Sequence, residues 1–100
     1  MSAVLAIFTV DGDPETLLAA YDRAMPAIQA GAAEYGSPRM HACAATDTGI
    51  TLVDVWESAD AFGRFAEHPE FARARRDAGL PDPTTVQVWP VHAADWPSYA

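Results

Sequence analysis

The chain has 100 residues, half of them hydrophobic, and a net charge of −8 with no Lys and no Asn. One domain of this length can build a core but buries only a modest share of its surface. All six basic residues are Arg, and the run Arg73, Arg75, Arg76 is diluted by Ala and by acids. That balance argues against nucleic acid or an anionic membrane surface as partner. No apolar run approaches the roughly 18 residues of a membrane span. The lone Cys43 gives neither a disulfide framework nor a metal-ligand spacing. The apolar start, MSAVLAIFTV, lacks a basic leader region and runs into Asp11-Gly12-Asp13, so it reads as a strand rather than a signal peptide. The expected location is the cytoplasm.

Residues 3–10 form a continuous apolar run with β-branched and aromatic members, which predicts a strand buried on both faces. Asp13 can cap the helix that follows, with Pro14 in its first turn. Leu17, Leu18, Tyr21, Met25, Ile28, Ala32 and Tyr35 mark one face of that helix. Pro26 lies inside the pattern and is expected to kink or interrupt it. Gly36-Ser37-Pro38 ends the helix. Residues 39–46 read as a second strand of mostly small residues. Thr46-Asp47-Thr48-Gly49 is a tight turn into a third strand, residues 50–56. Here Ile50, Leu52, Asp54 and Trp56 alternate with Thr51, Val53 and Val55. Ser58 offers an N-cap to a helix over about 59–67, and His68-Pro69 restarts the chain as another over 69–78, closed by Gly79. Leu80-Pro81-Asp82-Pro83 is an extended linker. Residues 84–92 form a fourth strand, and 93–100 carry no clear signal.

The order β-α-β-β-α(α)-β predicts an α+β, ferredoxin-like sandwich over residues 1–100, with a four-stranded antiparallel sheet of order 4-1-3-2. Its helices cover one face of the sheet. The first strand is apolar on both, so the open face requires a lid, and a second copy of the same sheet supplies one. The chain is therefore expected to be a homodimer packed sheet to sheet, a dimeric α/β barrel.

An acid and a tryptophan on one face of the third strand stand out, because Asp is depleted in strands. If Asp47 and Thr48 are the two loop residues of the hairpin, His41 faces Asp54 across the ladder and Cys43 faces Leu52. A three-residue loop would slip the register by one and break the pair. A carboxylate beside an imidazole fixes its tautomer and raises its basicity, which prepares a general base. The same pair can also do no more than satisfy two half-buried polar groups. Trp56 is expected on the same face as a stacking wall, and the small Ala42, Cys43, Ala44 and Ala45 are expected to leave room for a ligand. Tyr21 can donate a hydrogen bond to an oxyanion or an enol, though helix tyrosines such as Tyr21 and Tyr35 are also ordinary core residues. His68 reads as a helix cap, His92 and Trp89 as packing or seam residues, Cys43 as a small hydrophobe, and Arg39 as an exposed strand-end cation. There is no metal-binding spacing, no phosphate loop and no nucleophile motif, so no metal and no cofactor are expected.

Val53-Asp54-Val55-Trp56-Glu57-Ser58, with Ala61-Phe62 and His68-Pro69-Glu70-Phe71, resembles the antibiotic biosynthesis monooxygenase family of the dimeric α/β-barrel superfamily. The element order covers nearly the whole chain and the motif about a quarter of it. The superfamily includes cofactor-free quinone-forming monooxygenases, polyketide cyclases, haem-degrading enzymes, lactone isomerases and members with no assigned activity. Trp56 matches a Trp implicated in catalysis in some of the oxygenases. Those oxygenases and the haem degraders also use an Asn, and this chain has none. The resemblance implies cofactor-independent oxygenation or cyclisation of a small aromatic or polyketide-like substrate; the reading of the residues assigns His41 as base, Asp54 as its orienter, Trp56 as stacking wall and Tyr21 as donor. The alternative is a non-catalytic, dimeric ligand-binding or accessory protein of the same fold.

Overall fold

The structure, a computed structural model, describes residues 2–94. The tail from 95 onward, part of the stretch without a sequence signal, lies outside the described residues. The elements run β1 (Val4–Asp11), α1 (Pro14–Ala30), α2 (Ala32–Tyr35), β2 (Met40–Ala45), β3 (Gly49–Trp56), α3 (Ala59–Glu67), α4 (Pro69–Ala78) and β4 (Thr85–Pro90). The four strands form one sheet of order β2-β3-β1-β4, with every neighbour antiparallel. This is the ferredoxin-like α+β sandwich that the element order predicts.

The caps account for the element ends. Asp13 accepts the Thr16 N–H at 2.9 Å and the Thr16 hydroxyl at 2.7 Å, which starts α1. Ser58 accepts the Ala61 N–H at 3.1 Å and starts α3. His68 ends α3 and caps α4, its Nδ1 accepting the Glu70 N–H at 3.2 Å. Gly79, at φ 81°, closes α4 in the left-handed conformation that glycine adopts without a Cβ penalty. Arg23 then ties α1 to that end, donating from Nε and Nη2 to the Ala78 carbonyl at 3.2 and 3.0 Å.

Pro26 does not interrupt α1. The helix continues to Ala30 and breaks at Gly31 instead. Pro26 and Asp22 are both exposed, so the Asp22 carbonyl that loses its N–H partner faces water. The helix face also differs from expectation. Its deepest residues include Ala20 and Ala24, each 1% exposed, and their small size brings α1 close onto Val10 and Ile50. Strand four stops at Pro90, which leaves His92 exposed beyond it.

Two groups of buried residues lie between helices and sheet. Val10, Leu17, Ala20, Ala24, Ile50 and Leu80 form one. Val4, Tyr35, Trp56, Ala61 and Phe65 form the other, and Ile28 packs against both. The helices thus cover the face that carries Val4, Ala6, Phe8 and Val10. Leu5, Ile7 and Val53 lie half-buried on the opposite face, and Trp89 there is 55% exposed.

The hairpin register rests on Gly49, which pairs with Asp11. A Cβ at Gly49 would run into the Val10 carbonyl oxygen and stand 3.0 Å from the Asp11 Cα, whereas one at Gly63, inside α3, would meet nothing within 4 Å. Gly49→Ala is expected to lower stability by roughly 1–3 kcal/mol, as overpacking does. Gly63→Ala is expected to raise it by roughly 0.5–1 kcal/mol through helix propensity. Urea unfolding of the two variants beside wild type checks both signs.

Candidate active site

The β2–β3 hairpin closes with the two-residue loop. The Thr46 N–H donates to the Gly49 carbonyl at 2.9 Å, and His41 pairs with Asp54, Cys43 with Leu52. The alternative three-residue register is therefore not the one adopted. Because side chains alternate along a strand, His41, Asp54 and Trp56 all point to the helix side.

A continuous chain of hydrogen bonds joins four side chains from three elements. The Trp56 indole N–H donates to Asp54 Oδ2 at 3.2 Å. His41 Nδ1 lies 2.5 Å from Asp54 Oδ1, and the Tyr21 hydroxyl lies 2.5 Å from His41 Nε2. The donor roles follow from chemistry. Indole can only donate and an ionised carboxylate can only accept. A neutral His41 must then carry its proton on Nδ1 and give it to Asp54, which leaves Nε2 to accept from the Tyr21 phenol. The Asp54 side chain is 6% exposed and the His41 side chain 28%. The carboxylate is buried with one donor on each oxygen, while the imidazole keeps an outlet to the solvent side.

This chain opens into a cavity of about 520 Å³ between sheet and helices. Tyr21, His41 and Asp54 line it, and most of the remaining wall is apolar, including Phe8, Met25, Leu52, Phe62, Phe65 and Phe71. Gly36, Ser37 and Pro38, after α2, form part of its rim, and Leu80, Pro81 and Pro83 of the α4–β4 strap form another. Two expectations are corrected here. Trp56 is 1% exposed and is not among the lining residues, so it cannot serve as a stacking wall. It sits beneath the cavity, 4.8 Å centroid to centroid from Phe65, and acts on Asp54 through its N–H. The aromatic wall comes from the phenylalanines. The small β2 residues do not provide the ligand space either: Ala42 and Ala44 pair with Val53 and Thr51 and so face the other side of the sheet, and neither Cys43 nor Ala45 lines the cavity.

The lesser candidates fall into structural places. Tyr35 is buried, and its hydroxyl donates to the Ile28 carbonyl at 2.6 Å. His68 is a helix cap whose Nε2 stands 3.7 Å from exposed Glu34. Arg39 is exposed and 4.0 Å from Glu57. Burial, and then the charge of Asp22, pushes the Cys43 thiol up, away from a reactive thiolate. One lining residue that sequence reasoning passed over is Arg75, read only as part of a diluted basic run. Its signal was present: it lies four residues after Phe71, hence on the same helix face. Among the described residues, no group of three or more His, Cys, Asp or Glu is placed to hold a metal ion, and no helix is long and apolar enough to cross a membrane.

The Tyr21 phenol is pushed above its usual value, first by burial and then by negative charge on Cys43, Asp54 and Asp22. It therefore stands as a proton donor, not as a phenolate. By linkage, a raised folded value contributes stability that is complete below the unfolded value of about 10 and is lost as pH rises through the folded one. The stability difference between wild type and Tyr21→Phe should accordingly shrink as pH is raised above about 10. Urea unfolding of both proteins across that alkaline range measures it, and a pH-independent difference would mean that the phenol is not held as described.

No protein-family model and no curated protein matches the chain by sequence. Solved structures do match it by fold. A monooxygenase of Streptomyces coelicolor, determined in complex with nanaomycin D, is similar at a TM-score of 0.67 and 20% identity, over 97% of this chain and 93% of that one. SnoaB, a cofactor-independent oxygenase of Streptomyces nogalater, is similar at 0.62 and 22%, over 96% and 97%. A dimeric ferredoxin-like protein of unknown function from a Jannaschia species gives 0.57 and 12%, over 93% and 100%. The chain thus resembles, across nearly its full length, the ferredoxin-fold structures of antibiotic biosynthesis monooxygenase type.

Proposed function

We propose that this chain is a homodimeric acid–base enzyme that takes a proton from an enolisable aromatic, polyketide-like substrate and so starts its oxygenation or cyclisation without a cofactor. The observation that carries the reading is the Tyr21–His41–Asp54–Trp56 chain, which ends in an apolar cavity. The monooxygenase with nanaomycin D and the cofactor-independent oxygenase of the same fold support it.

In this reading a substrate C–H or phenol O–H next to Tyr21 gives its proton to the phenol oxygen, while the Tyr21 proton passes to His41 Nε2. The imidazolium so formed donates from Nδ1 to Asp54, whose carboxylate offsets its charge in a site of low dielectric. Trp56 keeps that carboxylate turned towards His41. The substrate is left as a carbanion or enolate. Oxygenation follows if the carbanion reduces dioxygen: a C–O bond forms, and the hydroperoxide then loses water, so that CH2 plus O2 becomes C=O plus H2O. Cyclisation follows if the carbanion attacks a carbonyl in the same chain and water is eliminated. The chain has no Asn, which favours cyclisation over the family's oxygenase chemistry.

A second reading has its own observation. His41 Nε2 and the Tyr21 hydroxyl already satisfy one another. A closed network of this kind also suits a dimeric binding or accessory protein whose polar groups only pack. Oxygen uptake with anthrone-like phenols, run beside mass spectrometry for cyclised, dehydrated products, separates the two. The enzymatic reading expects product from wild type. It expects His41→Ala and Asp54→Asn to lose about 100-fold or more in turnover, the ordinary contribution of a general base. Asp54→Asn acts by offering an amide N–H₂ or a neutral oxygen where His41 Nδ1 needs a carboxylate. Absence of any product, with ligand still bound, would favour the second reading.

The homodimer rests on the open sheet face, where Leu5, Ile7, Val53 and exposed Trp89 have no helix above them among the described residues. A face of this kind calls for a cover, and two fold relatives are described as dimeric. Sedimentation equilibrium at micromolar concentration is expected to give a dimer. Trp89→Glu should shift it towards monomer, and a wild-type protein that stays monomeric throughout would overturn the assembly.

A further inference from the structure

We infer that Arg75 is the recognition residue for a negatively charged oxygen on the ligand, so that the cavity selects an aromatic acid over its neutral analogue. The inference deepens the proposed function, on which it rests for the aromatic nature of the ligand.

Arg75 is the one arginine among the residues that line the cavity. Its side chain is 17% exposed and lies on α4, with its guanidinium carbon 4.9 Å above the Phe71 ring that also lines the cavity. Its one carboxylate partner among the described residues is Asp82, 2.8 Å from Nη1, whose own side chain is 90% exposed. A partner standing in solvent is screened, so it compensates a buried guanidinium only in part. Nε of Arg75 is buried and has no hydrogen-bond partner among the described residues. A buried donor left without an acceptor is uncommon and costly.

Packing alone does not explain this placement. A Met or Leu at this position would cover Phe71 without the cost of burying a guanidinium. The Tyr21–His41–Asp54 chain has no use for Arg75, which lies on a different wall, against the strap formed by Leu80 and Pro81. What the guanidinium offers is a planar set of donors suited to a carboxylate or phenolate oxygen. Phe71 holds the plane from below by a cation–π contact. An anionic oxygen entering from the cavity would satisfy the remaining N–H groups and complete the charge balance that Asp82 leaves open.

The test compares two probes, anthraquinone-2-carboxylate and anthraquinone-2-carboxamide, binding to full-length protein by isothermal titration calorimetry. Wild type should bind the carboxylate about tenfold or more tightly than the carboxamide, the effect of one charge-assisted contact. Arg75→Gln should abolish that preference, and Arg75→Lys should retain part of it. Asp82→Asn removes the competing carboxylate without touching the cavity's apolar wall, and should strengthen carboxylate binding severalfold. Equal affinities for the two probes in wild type would overturn the inference, as would a preference that survives Arg75→Gln. If Arg75→Gln does not fold, the Asp82→Asn result decides: no gain in carboxylate affinity sinks the proposal. Tyr21→Phe should keep the carboxylate preference whether or not any turnover is seen. A charge preference without product would thus leave the Arg75 site standing while the catalytic reading falls.

Discussion

The buried carboxylate of Asp54 is the constraint around which this site is arranged. A residue 4% exposed cannot keep an ionised side chain unless the fold gives it donors, since the loss of water costs several kcal/mol per ion. One donor comes from two residues along the same strand, the indole N–H of Trp56. The other comes across the hairpin from His41. That second donor exists only in one register. Shifting β2 by one residue would turn His41 to the opposite face of the sheet and leave Met40 or Ala42, not an imidazole, across from Asp54. The two-residue loop at Asp47-Thr48, with Gly49 fitted against Val10, thus secures a hairpin and also decides whether the carboxylate has a partner.

The cavity depends on a contrast of side-chain sizes along α1. Ala20 and Ala24 let the helix sit close on Val10 and Ile50. Tyr21, Met25 and Ile28, one residue on or one turn further, turn to the gap. The helix reaches Ala30, and the break at Gly31 redirects the chain so that Tyr35 enters the second buried group beside Trp56 and Phe65. The cavity touches both groups, through Val10 and Leu80 on one side and Phe65 on the other. A small domain that leaves such a space between its buried groups gives up packing that would stabilise it. The open sheet face, with Trp89 on its edge strand, is where association would restore burial.

Much of this was legible in the sequence because the signals were local. Caps at Asp13, Ser58 and Gly79 fix helix ends through side-chain or glycine chemistry within four residues, and the hairpin register followed from the turn length and strict alternation. The failures share one cause, which is that depth is not a local property. Trp56 lies on the face foreseen for it, yet only the packing of Phe62 and Phe65 shows that it is beneath the cavity and not on its wall. Pro26 was read as a break, although an exposed carbonyl four residues earlier can be solvated and the helix need not stop. Arg75 looked like one of three dispersed surface charges. Only the turn at Gly79, which folds Leu80 and Pro81 back over α4, encloses it.

The two charged poles of the cavity have consequences for one another. The Asp54 carboxylate faces the Nδ1 of His41, and Arg75 faces a screened Asp82. In the proposed reaction, moving a proton from substrate to His41 would leave the total charge of the cavity unchanged. It would convert a neutral ligand group into an anion and create a cation at His41 that the Asp54 carboxylate already faces. In water the same transfer would require the solvent to reorganise around both ions. The Tyr21 phenol, held protonated by burial, fits the same scheme, because a donor that kept a phenolate at rest would repel the enolate it has to meet. The apolar wall of Phe8, Phe62, Phe65 and Phe71 keeps the dielectric low enough for these placements to matter. Burial of the carboxylate therefore bears on more than the hairpin register, because in the proposed reaction it would set the direction in which a proton leaves the ligand.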